Sequence, residues 1–254
     1  GKGGIPGLTL FVAIIALLTL FLFVSDTARA AYRPVVTSNN GMVVSNHPLA
    51  SQAGMRVLLQ GGNAVDAIVA VAATLNMVEP MMSSMGGAGF ALIYLAETKE
   101  IKTLNFSGKS PYAAKLEMFN KDNKNIGILA SPVPGNFGGW AEMLKEYGTM
   151  SLAQVFQPAI EYAEKGVPLT AFVIENIKAN EKIFALYPTS ARIYMPGGKV
   201  PEVGTIYYNR DLAKTMKKIV AAEDKARFLG RKKAIEAGRD VFYKGEVAEE
   251  FARF

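Results

Sequence analysis

Gly41-Met42-Val43-Val44-Ser45-Asn46-His47-Pro48-Leu49-Ala50-Ser51 runs, through a helical stretch, into Gly61-Gly62-Asn63-Ala64-Val65-Asp66-Ala67. The first five residues predict a short buried strand, since a brief apolar run suits a strand covered on both faces. Asn46 ahead of Pro48 is the cap-then-proline order at which helices start, because proline lacks an N–H that would be unpaired there anyway. Leu49, Ala53, Val57 and Leu58 recur at helical spacing, and Gly61-Gly62 stops that helix. Asn63, with Asp66 three positions on, approximates a capping box and opens a second helix. Its residues are small or apolar around the whole circumference until Glu79-Pro80, so it must be buried on most sides.

Working outward, Ser84-Met85-Gly86-Gly87-Ala88-Gly89 precedes Phe90–Leu95 and Ile101–Phe106, two strands joined by the polar turn Thr98-Lys99-Glu100. That pair reads as a hairpin. From Pro111 the chain is loop, and Pro132-Val133-Pro134-Gly135-Asn136-Phe137-Gly138-Gly139 is a second glycine-rich turn before a helix at Trp140–Tyr147. Helical periodicity follows from Ser151 to Gly166, then at 171–184, 211–222 and 245–254. There is no internal repeat and no evident linker, so residues 31–254 read as one domain of mixed α+β type.

The inventory closes off many chemistries. The 254 residues contain no Cys and one His. Disulfides, Cys-ligated zinc and thiol nucleophiles are therefore excluded, as is a site built from several histidines. No metal or cofactor is expected. His47 in a first helical turn, Asp66 at a cap and Glu79 before a proline each read as structural residues. The glycine clusters lack the Lys-Ser/Thr of a P-loop, and the first runs from helix to strand, the reverse of a dinucleotide fold. Lys225, Arg227, Arg231, Lys232, Lys233 and Arg239 carry part of the net charge of +6. Asp224 and Glu236 interrupt them, so the stretch reads as a solvated helical face and not a nucleic-acid contact.

From Gly3 to Ser25 there is no charged side chain; Lys2 precedes this run, and Ala28-Arg29-Ala30 follows it. Basic start, apolar middle and A-x-A exit predict a secretory signal peptide over residues 1–30, cut after Ala30. An uncleaved anchor is the alternative. Either reading puts the remainder in the periplasm or outside the cell, with membrane contact only through this segment. The chain opens on Gly instead of Met, which suggests a fragment at its start.

The order of the motifs resembles the gamma-glutamyltranspeptidase family. The stretch from Gly41 to Ser51 and Gly61-Gly62-Asn63-Ala64-Val65-Asp66-Ala67 are similar to that family's opening. Val78-Glu79-Pro80, Ser84–Phe90, Val133-Pro134-Gly135, Tyr147-Gly148-Thr149, Pro158-Ala159-Ile160, Asp211–Thr215 and Phe242-Tyr243-Lys244-Gly245 continue it in sequence. The resemblance implies an N-terminal-nucleophile hydrolase, an αββα sandwich made as a precursor that cuts itself into a large and a small subunit. The Thr freed at the start of the small subunit would attack the amide, its own amine serving as base. That Thr lies beyond residue 254 in the family, so this chain is expected to be the front part of a large subunit, without catalytic residues and inactive alone. The implied partners are the small subunit from the same precursor and a small gamma-glutamyl or related acyl amide. A non-catalytic exported binding module on the same half-fold, or an acylase with another donor, are the alternatives.

One departure bears on substrate. The resemblance implies a strand-end Leu-Asp-Phe-Arg-Glu followed by Pro, whose Arg grips the donor's α-carboxylate. Aligned on Leu104, Phe106 and Pro111, this chain has Asn105 at the Asp and Ser107 at the Arg. A hydroxyl cannot replace a bidentate guanidinium. Lys109 could supply the charge if it projects from the same face two residues on; otherwise it is merely solvated. Ser107 and Lys109 are the candidate substrate-binding residues.

Overall fold

The computed structural model describes residues 35–253, together with Phe11, Ile14 and Ile15. The rest of the expected signal peptide, including its cleavage site at Ala28 and Ala30, lies outside the described residues. Residues 41–254 form one compact unit and residues 1–40 another.

The strand expected at Gly41–Ser45 does not form. The segment is extended but pairs with no strand among the described residues. Val44 is 77% exposed, whereas Val43 turns inward onto Gly54, where a Cβ would stand 2.7 Å from its Cγ1. An apolar run becomes a strand only when a second strand pairs with it.

Helix α1 spans Pro48–Leu59, and its cap is His47 instead of the expected Asn46: His47 Nδ1 accepts from the Leu49 N–H at 3.2 Å, while the Asn46 amide donates to Glu79. Helix α2, Ala64–Val78, carries both halves of the anticipated capping box and is buried over most of its surface. Strands β1 (Gly89–Leu95) and β2 (Glu100–Phe106) pair antiparallel, from Gly89 opposite Phe106 to Leu95 opposite Glu100. Helix α3 covers Asn136–Tyr147, four residues ahead of its expected start. Both Gly138 and Gly139 lie within it; at 139 the Phe106 ring occupies the space of a side chain, with ring atoms 2.3–2.8 Å from where a Cβ would be, and at 138 the Tyr243 hydroxyl stands 3.1 Å from that point.

Helix α4 (Leu152–Lys165) begins at the Ser151/Gln154 capping box. A short pair follows, β3 (Val167–Pro168) with β4 (Ile206–Tyr207). The helix expected at 171–184 is broken into α5 (Ala171–Ala179) and α6 (Glu181–Ala185). Asn180 sits at φ −113°, ψ 15°, and its side chain donates to the Asn176 carbonyl at 2.9 Å, a local bond that competes with helix continuation. Helix α7 (Pro188–Tyr194) was not foreseen. Helices α8 (Arg210–Lys225), α9 (Arg231–Tyr243) and α10 (Glu246–Arg253) complete the unit. Phe137 anchors the main core, its ring centroid 5.8 Å from Phe156, 5.5 Å from Phe242 and 6.3 Å from Tyr243. A second cluster gathers Met77, Val167, Val173, Ile177, Met195 and Tyr207.

The basic stretch at 225–239 is only partly the solvated face expected. Arg231 turns inward and donates to four backbone carbonyls at the end of α3 and just after it. The Leu144 carbonyl also accepts the Gly148 N–H at 3.0 Å, but carbonyls at and beyond a helix end have acceptor capacity left over, and a guanidinium fork is drawn to it.

Candidate functional site

Three backbone segments meet at the end of the hairpin: 84–89, 106–109 and 132–136. The Gly87 carbonyl accepts from the N–H groups of Gly135 (2.9 Å) and Asn136 (3.0 Å), and the Asn136 side chain donates to the Ser84 carbonyl at 2.7 Å. The Val133 N–H donates to the Lys109 carbonyl at 2.9 Å. Contact is tight enough to exclude side chains. A Cβ at Gly135 would stand 2.0 Å from the Phe106 carbonyl oxygen, and one at Gly108 2.4 Å from that of Val133. Gly108 also has φ +83°, a conformation that L side chains rarely adopt. Gly108 and Gly135 thus serve close backbone approach.

This junction encloses an open cleft of about 490 Å³, lined by Asn105, Ser107, Lys109, Ser110, Tyr112 and Val133, with Pro134 and Gly135 behind. Both sequence-derived candidates, Ser107 and Lys109, line it. The route differs from the one expected, because β2 ends at Phe106 and Gly108 takes a left-handed turn, so strand alternation does not relate the two residues. Asn105 accepts the Ser107 N–H at 3.0 Å and fixes that turn. Lys109 is exposed, and no carboxylate among the described residues pairs with its ammonium. The lining offers one cation, three hydroxyls and an amide, with neither carboxylate nor imidazole. Such a lining presents hydrogen-bond donors and acceptors and one positive charge to the cleft.

The wall at Pro132–Gly135 has a further support that sequence reasoning missed. The Tyr243 hydroxyl donates to the Pro134 carbonyl at 3.0 Å and accepts from the Gly138 N–H at 2.8 Å. Burial pushes this phenol's pKa up, against the lowering effect of the Gly138 bond. Its only signal in the sequence was membership of Phe242-Tyr243-Lys244-Gly245.

His47, Asp66 and Glu79 lie away from the cleft lining and are engaged structurally. Asp66 completes the cap of α2, and Glu79 accepts from the Asn46 amide at 2.8 Å. Among the described residues no group of three His, Asp or Glu side chains could hold a metal ion.

The family model for gamma-glutamyltranspeptidase matches residues 50–254. The chain belongs to that family. It is 37% identical over 227 residues to the glutathione hydrolase proenzyme of Bacillus subtilis (strain 168), covering 86% of this chain and 36% of the relative. It is 38% identical over 208 residues to the acylase ACY 1 proenzyme of Pseudomonas sp. (strain SE83), covering 77% and 37%. The crystal structure of Helicobacter pylori gamma-glutamyltranspeptidase superposes with a TM-score of 0.76 at 35% identity, over 87% of this chain and 61% of that one. The chain therefore spans little more than a third of the curated relatives named here, and it carries part of the α+β N-terminal-nucleophile hydrolase fold of its structural neighbours.

Proposed function

We propose that this chain is the N-terminal part of the large subunit of an exported gamma-glutamyltranspeptidase-like amidohydrolase, with residues 1–30 as its leader. The catalytic Thr and the small subunit would lie in the remainder of the precursor, and the product would work in the periplasm or outside the cell. The observation that carries this reading is the cleft itself. Its walls come from separate stretches, one of them the family motif Val133-Pro134-Gly135, and its cation, hydroxyls and amide can hold a polar acyl group without a carboxylate or imidazole beside them to serve as base.

Extending the reading frame tests the proposal. A Thr-rich autocleavage site beyond residue 254 is expected, and the matured protein should release amine from gamma-glutamyl or related acyl amides. A gene that stopped at residue 254 would overturn the enzyme reading and leave a binding module. Ser107 favours a second possibility, an acylase whose donor lacks the α-carboxylate, since a neutral hydroxyl stands where the family resemblance places an Arg. The likeness to a protein named as an acylase supports it equally well. Relative turnover of donors with and without an α-carboxylate decides between the two.

A further inference from the structure

The phenol of Tyr243 bridges two elements with one oxygen, because it bonds both the Pro134 carbonyl in the loop behind the cleft and the Gly138 N–H in the first turn of α3. The oxygen has little freedom. The Tyr243 ring stacks on Phe137 with an interplanar angle of 6° and meets Phe242 edge-on at 5.0 Å, so α9 fixes it through the main core. The loop it holds is in turn pressed on the segment that bears the two candidate binding residues, through the Val133–Lys109 bond and the close approach of Gly135 to the Phe106 carbonyl. A continuous run of bonded and touching groups therefore leads from Tyr243 to Ser107 and Lys109.

We infer that Tyr243 is a positioning residue for the acyl-binding cleft: its hydroxyl sets the separation between the Pro132–Gly135 wall and the Ser107–Lys109 wall. It touches no substrate. This rests on the cleft being the acyl site, as proposed above.

The test uses the mature enzyme. Tyr243→Phe keeps the ring and its packing while deleting the hydroxyl. The KM for the acyl donor should rise about three- to tenfold, the size of one lost hydrogen bond, with kcat changing less than about twofold. A role confined to capping α3 would instead lower the active fraction, so that kcat fell with KM unmoved, and that result overturns the inference. A second variant guards against trivial misfolding. A Cβ at Gly138 would stand 3.1 Å from the Tyr243 hydroxyl oxygen, so Gly138→Ala should raise KM in the parent and add nothing once Tyr243 is Phe. An equal rise in both backgrounds would show that the hydroxyl is not the carrier. Lys109→Ala separates this inference from the reading beneath it. If Lys109→Ala raises KM and Tyr243→Phe does not, the cleft stands and the positioning role falls. If neither moves KM for donors with or without an α-carboxylate, the cleft is not the acyl site and both fall.

Discussion

Asp66 and Arg231 grip the same turn from opposite sides. The Asp66 carboxylate, fully buried, accepts the N–H groups of Thr149 (2.9 Å) and Met150 (3.0 Å), the Thr149 hydroxyl (2.6 Å) and the Asn63 N–H (2.8 Å). The Arg231 guanidinium donates to the carbonyls of Leu144 (2.9 Å), Lys145 (3.0 Å), Gly148 (2.7 Å) and Met150 (3.2 Å). The anion takes the turn's donors and the cation takes its acceptors, so α2 and α9 are both tied to the end of α3. A cation at a helix C-terminus is also favoured by the helix dipole.

Removing either partner should therefore cost more than a surface change. Asp66→Asn preserves shape but turns one acceptor oxygen into a donor that faces other donors, and a loss of about 3 kcal/mol is expected. Arg231→Lys keeps the charge but gives up the planar fork that serves four carbonyls, for a loss of about 1–2 kcal/mol. Urea unfolding of the two variants and their double mutant measures both. Because they share one turn, the effects should not add. Strict additivity would show that the turn holds its shape without them.

His47 gives stability a pH dependence. Burial lowers its pKa from the usual 6.5, and the Glu79 charge opposes this more weakly. Protonation is thus resisted in the folded state, and it would also remove the Nδ1 acceptor that caps α1. The unfolded chain takes up the proton first, so this contribution is intact above about pH 6.5 and is lost as pH falls through the lowered folded value. His47→Asn retains a capping oxygen without a titrating group. Melting temperatures of parent and variant should converge near neutral pH and separate below pH 6, with the parent falling faster. Parallel curves would exclude His47 as the source.

Thr74 invites a stabilising change. Its side chain is fully buried on α2, and its hydroxyl has no hydrogen-bond partner. Val has the same shape without the polar atom, so Thr74→Val should be neutral or stabilising by up to about 1–2 kcal/mol. Thermal melts would then rise by a few degrees. A clear drop would mean that the hydroxyl is satisfied by a bound water.

Much of this arrangement is readable from residue order, and the failures have physical causes. Caps are local, so the Asn63/Asp66 box stands where its spacing puts it and the next helix starts at Ser151 as expected. The hairpin strands likewise fall within a residue of their expected limits. Gly41–Ser45 misled because an apolar run reports burial potential and not the presence of a partner edge. Gly138-Gly139 misled because a glycine cluster reads as a turn, whereas inside the helix the space at 139 is taken by a ring from β2 and that at 138 is bordered by the Tyr243 phenol of α9. Arg231 and Tyr243 were unreadable in their roles, since each acts on carbonyls or amides some 80 to 110 positions away. Ser107 and Lys109 came from family resemblance, and their meeting in one cleft depends on the turn at Gly108.

The charge of that cleft yields the most direct test of substrate. If the mature enzyme uses gamma-glutamyl donors, the α-carboxylate must meet a cation, and Lys109 is the one cation lining the cleft among the described residues. Losing a charge-assisted contact typically costs about 1.5–3 kcal/mol, or roughly ten- to a hundredfold in kcat/KM. Lys109→Ala should reduce turnover of gamma-glutamyl donors by that factor while sparing acyl donors that lack the carboxylate. Ser107→Arg should act in the opposite direction, because a guanidinium at this half-buried position can offer a bidentate fork. Steady-state kinetics with paired donors, identical apart from the α-carboxylate, measures both. Should Lys109→Ala leave gamma-glutamyl turnover unchanged, the lysine is a solvated side chain and does not hold the α-carboxylate. Should Ser107→Arg gain nothing either, the cleft serves a donor without an α-carboxylate, and acylase chemistry becomes the better description.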